Sequence, residues 1–496
     1  MKRTTLSLIA GTTALAAVTG FAALTQPTDS GAGTAAKAAA VLPVERAGLL
    51  CPAPSTSDLA ETTYTSFTPV TKGTKSGGTT ELLPAAGKTA AGDGKKKTPA
   101  KPVLTPKAPG TPAAGDTSGG ASPALIGTAE GRLAPGWTLQ ETTEVAAGTG
   151  RGLLGVNCTA PDTDFWFPGV STAADRTDYL HLTNPDDSAA VADIELYDKD
   201  GPVATTTGDD FTVPAGSSEP ILLSTLTGEK QDDLTVHVNV RSGRVGAAVQ
   251  ALDDKLGGDW LAASTDPAGS LVVPGIPKDA TAVRLVAFTP ADSDADLKVQ
   301  LASPSGLITP AGKETLHVKA GTTTALDLGD VTRGEAGSLV LTPTDQSVPV
   351  VAAVRVVRGK GDKQESAYLP ATSPVGTRAS AVANTAKGTT LSLTAPTGTA
   401  KVKVTASAGS EGGTAASQTY TIKTGTTQDV QLPAPAGLKG TYALTVEPLT
   451  ATPVYASRTL TASIDGLPGF TIQTLPNDRG TVAVPRTEQD MTVLQK

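Results

Sequence analysis

The sequence predicts an all-β chain built from tandem immunoglobulin-like sandwiches, each unit about 105 residues long. The first observation behind this is a period. Pro185, Pro290 and Pro396 close the patterns Tyr179-Leu-His-Leu-Thr-Asn-Pro, Arg284-Leu-Val-Ala-Phe-Thr-Pro and Thr390-Leu-Ser-Leu-Thr-Ala-Pro, spaced 105 and 106 apart. Gly216, Gly321 and Gly425 keep the same phase, at 105 and 104, and so do Val245, Val350 and Val454. The second is alternation. Val191 to Tyr197, Leu297 to Leu301 and Lys401 to Thr405 alternate apolar with polar residues, the period of a half-buried strand. The third is composition: Val, Thr and Ile stand where a helix would carry Leu, Glu and Lys, and 53 Gly and 37 Pro supply turns. A weaker half-period, Pro290 to Pro343 and Pro396 to Pro448, keeps open a β-propeller with blades of about 52 residues.

Taken in order, residues 1–27 are expected to be a signal anchor or signal peptide. Lys2 and Arg3 precede an uncharged apolar run, Leu6 to Leu24, whose 19 residues approach the length that spans a bilayer. Basic residues ahead of it favour an N-terminus inside and everything later outside. Ala38-Ala39-Ala40 offers a cleavage site, which leaves a secreted form as the alternative.

Residues 41–160 are expected to form an incomplete first β unit, interrupted by a disordered linker at 71–135. That stretch has no aromatic residue, contains Lys95-Lys96-Lys97, and is too poor in apolar surface to offset its ordering entropy. Full units follow at 161–255, 256–362 and 363–462, and closing strands at 463–496. Gly150-Arg151 followed by Trp166 parallels Gly243-Arg244 followed by Trp260, with Tyr368 and Phe470 in the same aromatic place later. On this alignment the chain begins and ends partway through a unit.

Cys51 and Cys158 are the only cysteines. An exported chain with one pair is expected to carry one disulfide, here joining the two halves of the interrupted unit.

Chemistry is sparse. Two Met, two Cys and three His leave haem, iron–sulfur, zinc-finger and multi-histidine sites without ligands. The net charge is −8, and residues 133–496 alone carry −13, which disfavours nucleic acid. Gly115-Asp-Thr-Ser-Gly-Gly120 has the composition of a nucleophile loop but falls in the expected linker. His181, His237 and His317 occupy different strands of the unit, so they define no shared site. Asp292, Asp294 and Asp296 alternate like the start of a calcium loop, but Leu297 stands where the turn Gly belongs. They are expected to be a solvated acidic loop, as are Asp253-Asp254 and Asp198/Asp200. Trp166 and Trp260 are candidates for stacking a sugar ring, against the alternative of core or inter-domain packing. No catalytic, cofactor or metal residue is assigned.

The patterns Asp164-Phe-Trp-Phe-Pro-Gly169, Leu180-His-Leu-Thr-Asn-Pro185, Asp200-Gly201 and Val213-Pro-Ala-Gly216 resemble an exported actinobacterial (Streptomyces-like) family of unassigned function. The resemblance implies an N-terminal membrane segment, a large extracytoplasmic β-rich region and an envelope location. It adds no site residues. The expected function is a non-enzymatic interaction or scaffolding module, tethered to the cytoplasmic membrane, whose partner is an envelope protein or cell-wall polymer. The alternative is a carbohydrate-binding or carbohydrate-active envelope protein.

Overall fold

The computed structural model describes residues 39–74, 76–86 and 101–484. The expected N-terminal membrane segment lies outside these residues. Among the described residues no helix is long and apolar enough to cross a membrane. The chain divides into two compact units, one made of the terminal segments up to Leu42 and from Val482, the other spanning Pro43–Thr481.

Strand β1 (Ala40–Pro43) opens the described chain, and four sandwiches follow. The first is built from β2 (Arg46–Cys51), β3 (Ala60–Phe67), β4 (Thr80–Pro84), β5 (Ala113–Ser118), β6 (Leu125–Glu130), β7 (Thr138–Val145) and β8 (Gly152–Asn157). Its sheets run β2-β6-β4 and β5-β3-β7-β8. The second contains β9 (Asp164–Val170), β10 (Arg176–Thr183), β11 (Ala190–Asp198), β12 (Gly201–Val203), β13 (Phe211–Val213), β14 (Ser218–Leu222), β15 (Leu234–Ser242), β16 (Gly246–Asp253) and β17 (Gly257–Leu261). Its sheets run β12-β11-β15-β9 and β14-β10-β16-β17.

The third contains β18 (Leu271–Ile276), β19 (Ala280–Phe288), β20 (Ala295–Ser303), β21 (Gly306–Ile308), β22 (Thr315–Val318), β23 (Thr323–Gly329), β24 (Gly337–Pro343), β25 (Val351–Arg358) and β26 (Glu365–Pro370). The fourth contains β27 (Ala379–Asn384), β28 (Thr389–Ala395), β29 (Ala400–Ala406), β30 (Gly412–Thr414), β31 (Ala416–Ile422), β32 (Thr426–Val430), β33 (Ala436–Lys439), β34 (Tyr442–Pro448), β35 (Tyr455–Ile464) and β36 (Leu467–Thr474). The sheets β23-β19-β25-β26 and β32-β28-β35-β36 repeat the order of β14-β10-β16-β17. Last, β37 (Thr481–Val484) pairs with β1.

Every assigned pair between the sandwich strands is antiparallel, and each sheet draws strands from the whole span of its sandwich. That is sandwich connectivity, not a series of four-stranded blades. Alternation places the apolar side chains inside: β20 and β29 bury every second residue, and Leu297, Val299, Val402 and Val404 are each at most 1% exposed. Fully burying such a side chain contributes about 1.5–3 kcal/mol, the main source of stability in each unit.

The sequence landmarks fall at matching places. Gly216, Gly321 and Gly425 have φ of 59°, 65° and 69°, a conformation that favours glycine. Each donates its N–H across the turn, to Asp186, Thr289 and Ala395 respectively. Gly110 (φ 87°) donates to Thr68 in the same way, so the first sandwich has this turn too.

Four expectations are corrected. The stretch 71–135 is no simple linker: β4, β5 and β6 lie within it and supply strands to both sheets of the first sandwich. β4 and β6 bury Leu82, Leu125 and Ala129 in its core, whereas β5, Ala-Ala-Gly-Asp-Thr-Ser, buries none of its residues and is held by its ladder to β3. Consequently the first unit, 41–160, holds two facing sheets and is not a split fragment. The unit boundaries at 255, 362 and 462 each fall one strand early, because β17, β26 and β36 complete the preceding sandwich. Among its described residues the closing segment 463–496 holds the end of β35, β36 and β37. Finally, Trp166 and Trp260 are not equivalent: Trp166 sits on β9, the first strand of the second sandwich, and Trp260 on β17, its last. By cross-strand register Trp260 matches Tyr368 and Ile472, so Phe470 is two residues out of place.

Candidate functional site

The last strands of the four sandwiches touch in a closed cycle: β8 with β17, β17 with β26, β26 with β36, and β36 with β8. Each is hairpinned to the strand before it, so the cycle is anchored to all four cores. Apolar side chains cross the seams. Tyr368 packs into the second core, Phe470 and Ile472 into the third, and Leu154 and Val156 against Ala248 and Trp260.

At the centre lies Asp259 on β17, fully buried. Its Oδ1 accepts the Gly155 N–H at 3.0 Å and the Thr471 hydroxyl at 2.9 Å. The backbone N–H groups of Trp260 and Tyr368 donate to the same carboxylate. One side chain thus collects donors from every sandwich. Gly155 permits the approach, since a Cβ there would lie 2.6 Å from Thr471 Cγ2. Burial pushes the Asp259 pKa well above the carboxylate range, and the converging donors oppose that shift.

The network continues through Thr471. Gln473 Nε2 donates to its hydroxyl at 2.7 Å, and Gln473 Oε1 accepts Arg458 Nη2 at 2.6 Å. The same Nη2 reaches Gln140 Oε1 on the first sandwich, while Nη1 donates to the Val382 carbonyl at 2.6 Å and Asn384 Oδ1 at 3.3 Å. Arg458 is fully buried, and these four bonds go to neutral oxygens. Burial lowers its pKa to about 9, which keeps the guanidinium charged at neutral pH.

Two more buried acids, Glu365 on the cycle and Asp178 on β10, have raised pKa values. Glu365, 5% exposed, accepts the Phe470 N–H at 3.2 Å, and burial raises its pKa to about 7 against the pull of that donor, Arg151 and Arg358. Asp178 pairs with Arg176 at 2.8 Å, and burial raises it to about 6. An acid whose pKa is higher folded than unfolded holds extra protons in the folded state, so stability falls as pH rises through that interval. The window runs from about 4.5 to 7 for Glu365 and from about 3.8 to 6 for Asp178. Thermal midpoints should therefore drop between pH 5 and pH 8, and Glu365→Gln should flatten that slope. An unchanged slope in the variant would remove Glu365 from the account.

The residues that the sequence singles out fall elsewhere. Cys51 and Cys158 are bonded, with Cα atoms 4.5 Å apart, tying the end of β2 to the residue after β8. Trp166 and Trp260 are 6% and 2% exposed. Trp166 is stacked between His237 (3.7 Å) and Phe288 (5.3 Å), and Trp260 meets the edge of His181 at 5.1 Å. Their covered rings serve packing between and within sandwiches. His237 Nδ1 lies 2.8 Å from Glu195 and Nε2 3.3 Å from Asp164. His317 lies between Asp294 and Asp296. His181 is buried beside a cavity of about 10 Å³, at the lower limit for a single water, and burial lowers its pKa to about 4. The three histidines remain in three places.

Asp198 and Asp253 are not solvated: each is 7% exposed and caps a hairpin, accepting the N–H groups of Asp200 and Gly201 or of Lys255 and Leu256. Among the described residues no group of three His, Cys, Asp or Glu is placed to hold a metal ion. The segment Gly115–Gly120 belongs largely to edge strand β5.

Sequence reasoning missed Asp259, Thr471, Gln473 and Gln140. Arg458 had left a signal: it replaces the valine found at Val249 and Val354, a charge where the pattern demands a core residue.

A family model described as a family of unknown function, DUF5719, matches residues 113–433, well over half of the sequence. The chain belongs to DUF5719. The DUF5719 match runs from β5 through β32, taking in the second and third sandwiches whole and Asp259 with them. Arg458, Thr471 and Gln473 lie beyond it. A search of curated proteins finds no match.

Proposed function

We propose that this DUF5719 protein is a non-enzymatic interaction or scaffolding module of the cell envelope, outside the cytoplasm and tethered to the membrane through its N-terminal segment. The observation that carries the reading is the Asp259 junction. A buried polar network reaching all four sandwiches favours one arrangement over loosely linked alternatives, because each misplaced sandwich strands a buried donor or acceptor. The result is a rigid platform whose outer loops keep fixed spacings, a property suited to holding partners in register. Of the strongly perturbed ionisable groups, Asp259, Glu365 and Arg458 are committed to seams between sandwiches, and Tyr64 and Glu141 are buried on neighbouring strands of the first, so they are not gathered in an open cleft. The Cys51–Cys158 disulfide supports an oxidising compartment. The export and tether rest on Lys2, Arg3 and the apolar run to Leu24.

The test is co-sedimentation of the purified chain with isolated envelope fractions. Saturable binding that is lost when the envelope is first treated with protease is the expected result. Binding that survives protease and is competed by soluble glycan would replace it with the carbohydrate-binding alternative. Glycan cleavage by the chain would overturn the non-enzymatic reading, and no saturable binding at all would remove it.

A further inference from the structure

The terminal unit carries a feature that the sandwiches do not. β1 and β37 form a two-stranded ribbon with sequences Ala-Val-Leu-Pro and Thr-Val-Ala-Val, free of charge. Val41, Leu42, Val482 and Val484 are 67%, 48%, 49% and 39% exposed. Elsewhere Leu59, Val70 and Leu449 stand singly, which is ordinary, and the adjacent pair Leu307 and Ile308 lies on β21, a strand laddered to β20 of the third sandwich and not an isolated ribbon. An isolated two-stranded ribbon is marginal in water, so exposed apolar groups on one call for a covering.

Two arguments select the covering. Successive strand residues point to opposite faces, so Val41 and Leu42 place apolar groups on both. A protein partner covers one face, whereas lipid surrounds both. The ribbon is also small, about 14 Å by 10 Å, far below the roughly 800 Å² per partner that a stable protein interface buries. A lipid surface need not bind it unaided. The apolar run Leu6–Leu24 ends 15 residues before β1, a reach of at most about 50 Å even fully extended. Tethering over such a distance raises the effective concentration of a weak contact.

We propose that this ribbon seats in the headgroup region of the bilayer, with Val41, Leu42, Val482 and Val484 as its apolar contacts. The inference rests on the membrane tether proposed above. The full chain is reconstituted into phosphatidylglycerol–phosphatidylcholine vesicles after Val482→Cys is labelled with an environment-sensitive fluorophore, the native cysteines being occupied by their disulfide. Leu449→Cys, on the fourth sandwich, serves as the control. At position 482 the expected result is a blue-shifted emission, quenched at least twofold by nitroxide-bearing lipid; at position 449, neither. A chain that floats with the vesicles while the label at 482 stays aqueous overturns the ribbon and leaves the tether standing. A chain that does not float overturns both. A label shielded from water but not quenched by the nitroxide, in a chain that migrates as a dimer, assigns the ribbon to a second copy and overturns the lipid contact.

Discussion

Asp259→Ala is expected to cost about 2–5 kcal/mol, because each buried donor left without a partner costs roughly 1–3 kcal/mol. The variant strands the Gly155 and Tyr368 N–H groups in a buried site and leaves the Thr471 hydroxyl only a 3.4 Å contact with the Gly155 carbonyl to donate to. Its effect should reach beyond stability. With the common acceptor gone, the sandwiches lose a reason to unfold together, and denaturant unfolding should broaden or separate into steps. Asp259→Asn keeps the shape and one acceptor oxygen, so it should cost less. Urea titrations followed by far-UV circular dichroism decide the matter. A variant that unfolds with wild-type midpoint and slope would show that the donors are satisfied without Asp259.

The second large effect belongs to the disulfide. Cys51 and Cys158 close a loop with a sequence separation of 107, for which the chain-entropy model gives about 4.7 kcal/mol as a ceiling. The double variant Cys51→Ala, Cys158→Ala should lose roughly 2–5 kcal/mol, the usual cost of a native bridge. The loss should fall on the first sandwich, whose core holds both half-cystines beside Tyr64, Leu125 and Trp137. Hydrogen exchange should show β2–β8 losing protection while β18–β26, opposite them in the cycle, lose least. Equal loss throughout would mean that the cycle passes the strain to every sandwich.

The sandwich class was legible because strand alternation and turn glycines are local. Gly216, Gly321 and Gly425 each need a positive φ within a few residues of a strand, and that need is written at their own positions. The strands inside 71–135 were not legible. β5 carries Ala-Ala-Gly-Asp-Thr-Ser, and what holds it in place is a ladder to β3, more than 45 residues earlier. Strand ends misled as well: β17, β26 and β36 sit after Gly-rich hairpins that resemble unit boundaries. The Asp259 junction was the least accessible, since its donors Gly155 and Thr471 are 104 and 212 residues away. Nothing in Gly257-Gly-Asp-Trp-Leu261 announces partners at that distance. Arg458 is the exception, because a charge set into a valine position asks for compensation from elsewhere.

The cycle of last strands also fixes copy number. Modules strung end to end gain or lose one by unequal duplication with little penalty, since each meets only its neighbours. Here β36 returns to β8, so the fourth sandwich is as necessary to the first as the second is. Deleting one would leave two last strands facing a gap and Asp259 short of a donor; inserting a fifth would push Gly155 and Thr471 beyond its reach. Variation in this architecture is therefore directed to loop length and surface chemistry at a constant count of four, and lineages carrying it should diverge at their rims and not in their number of modules.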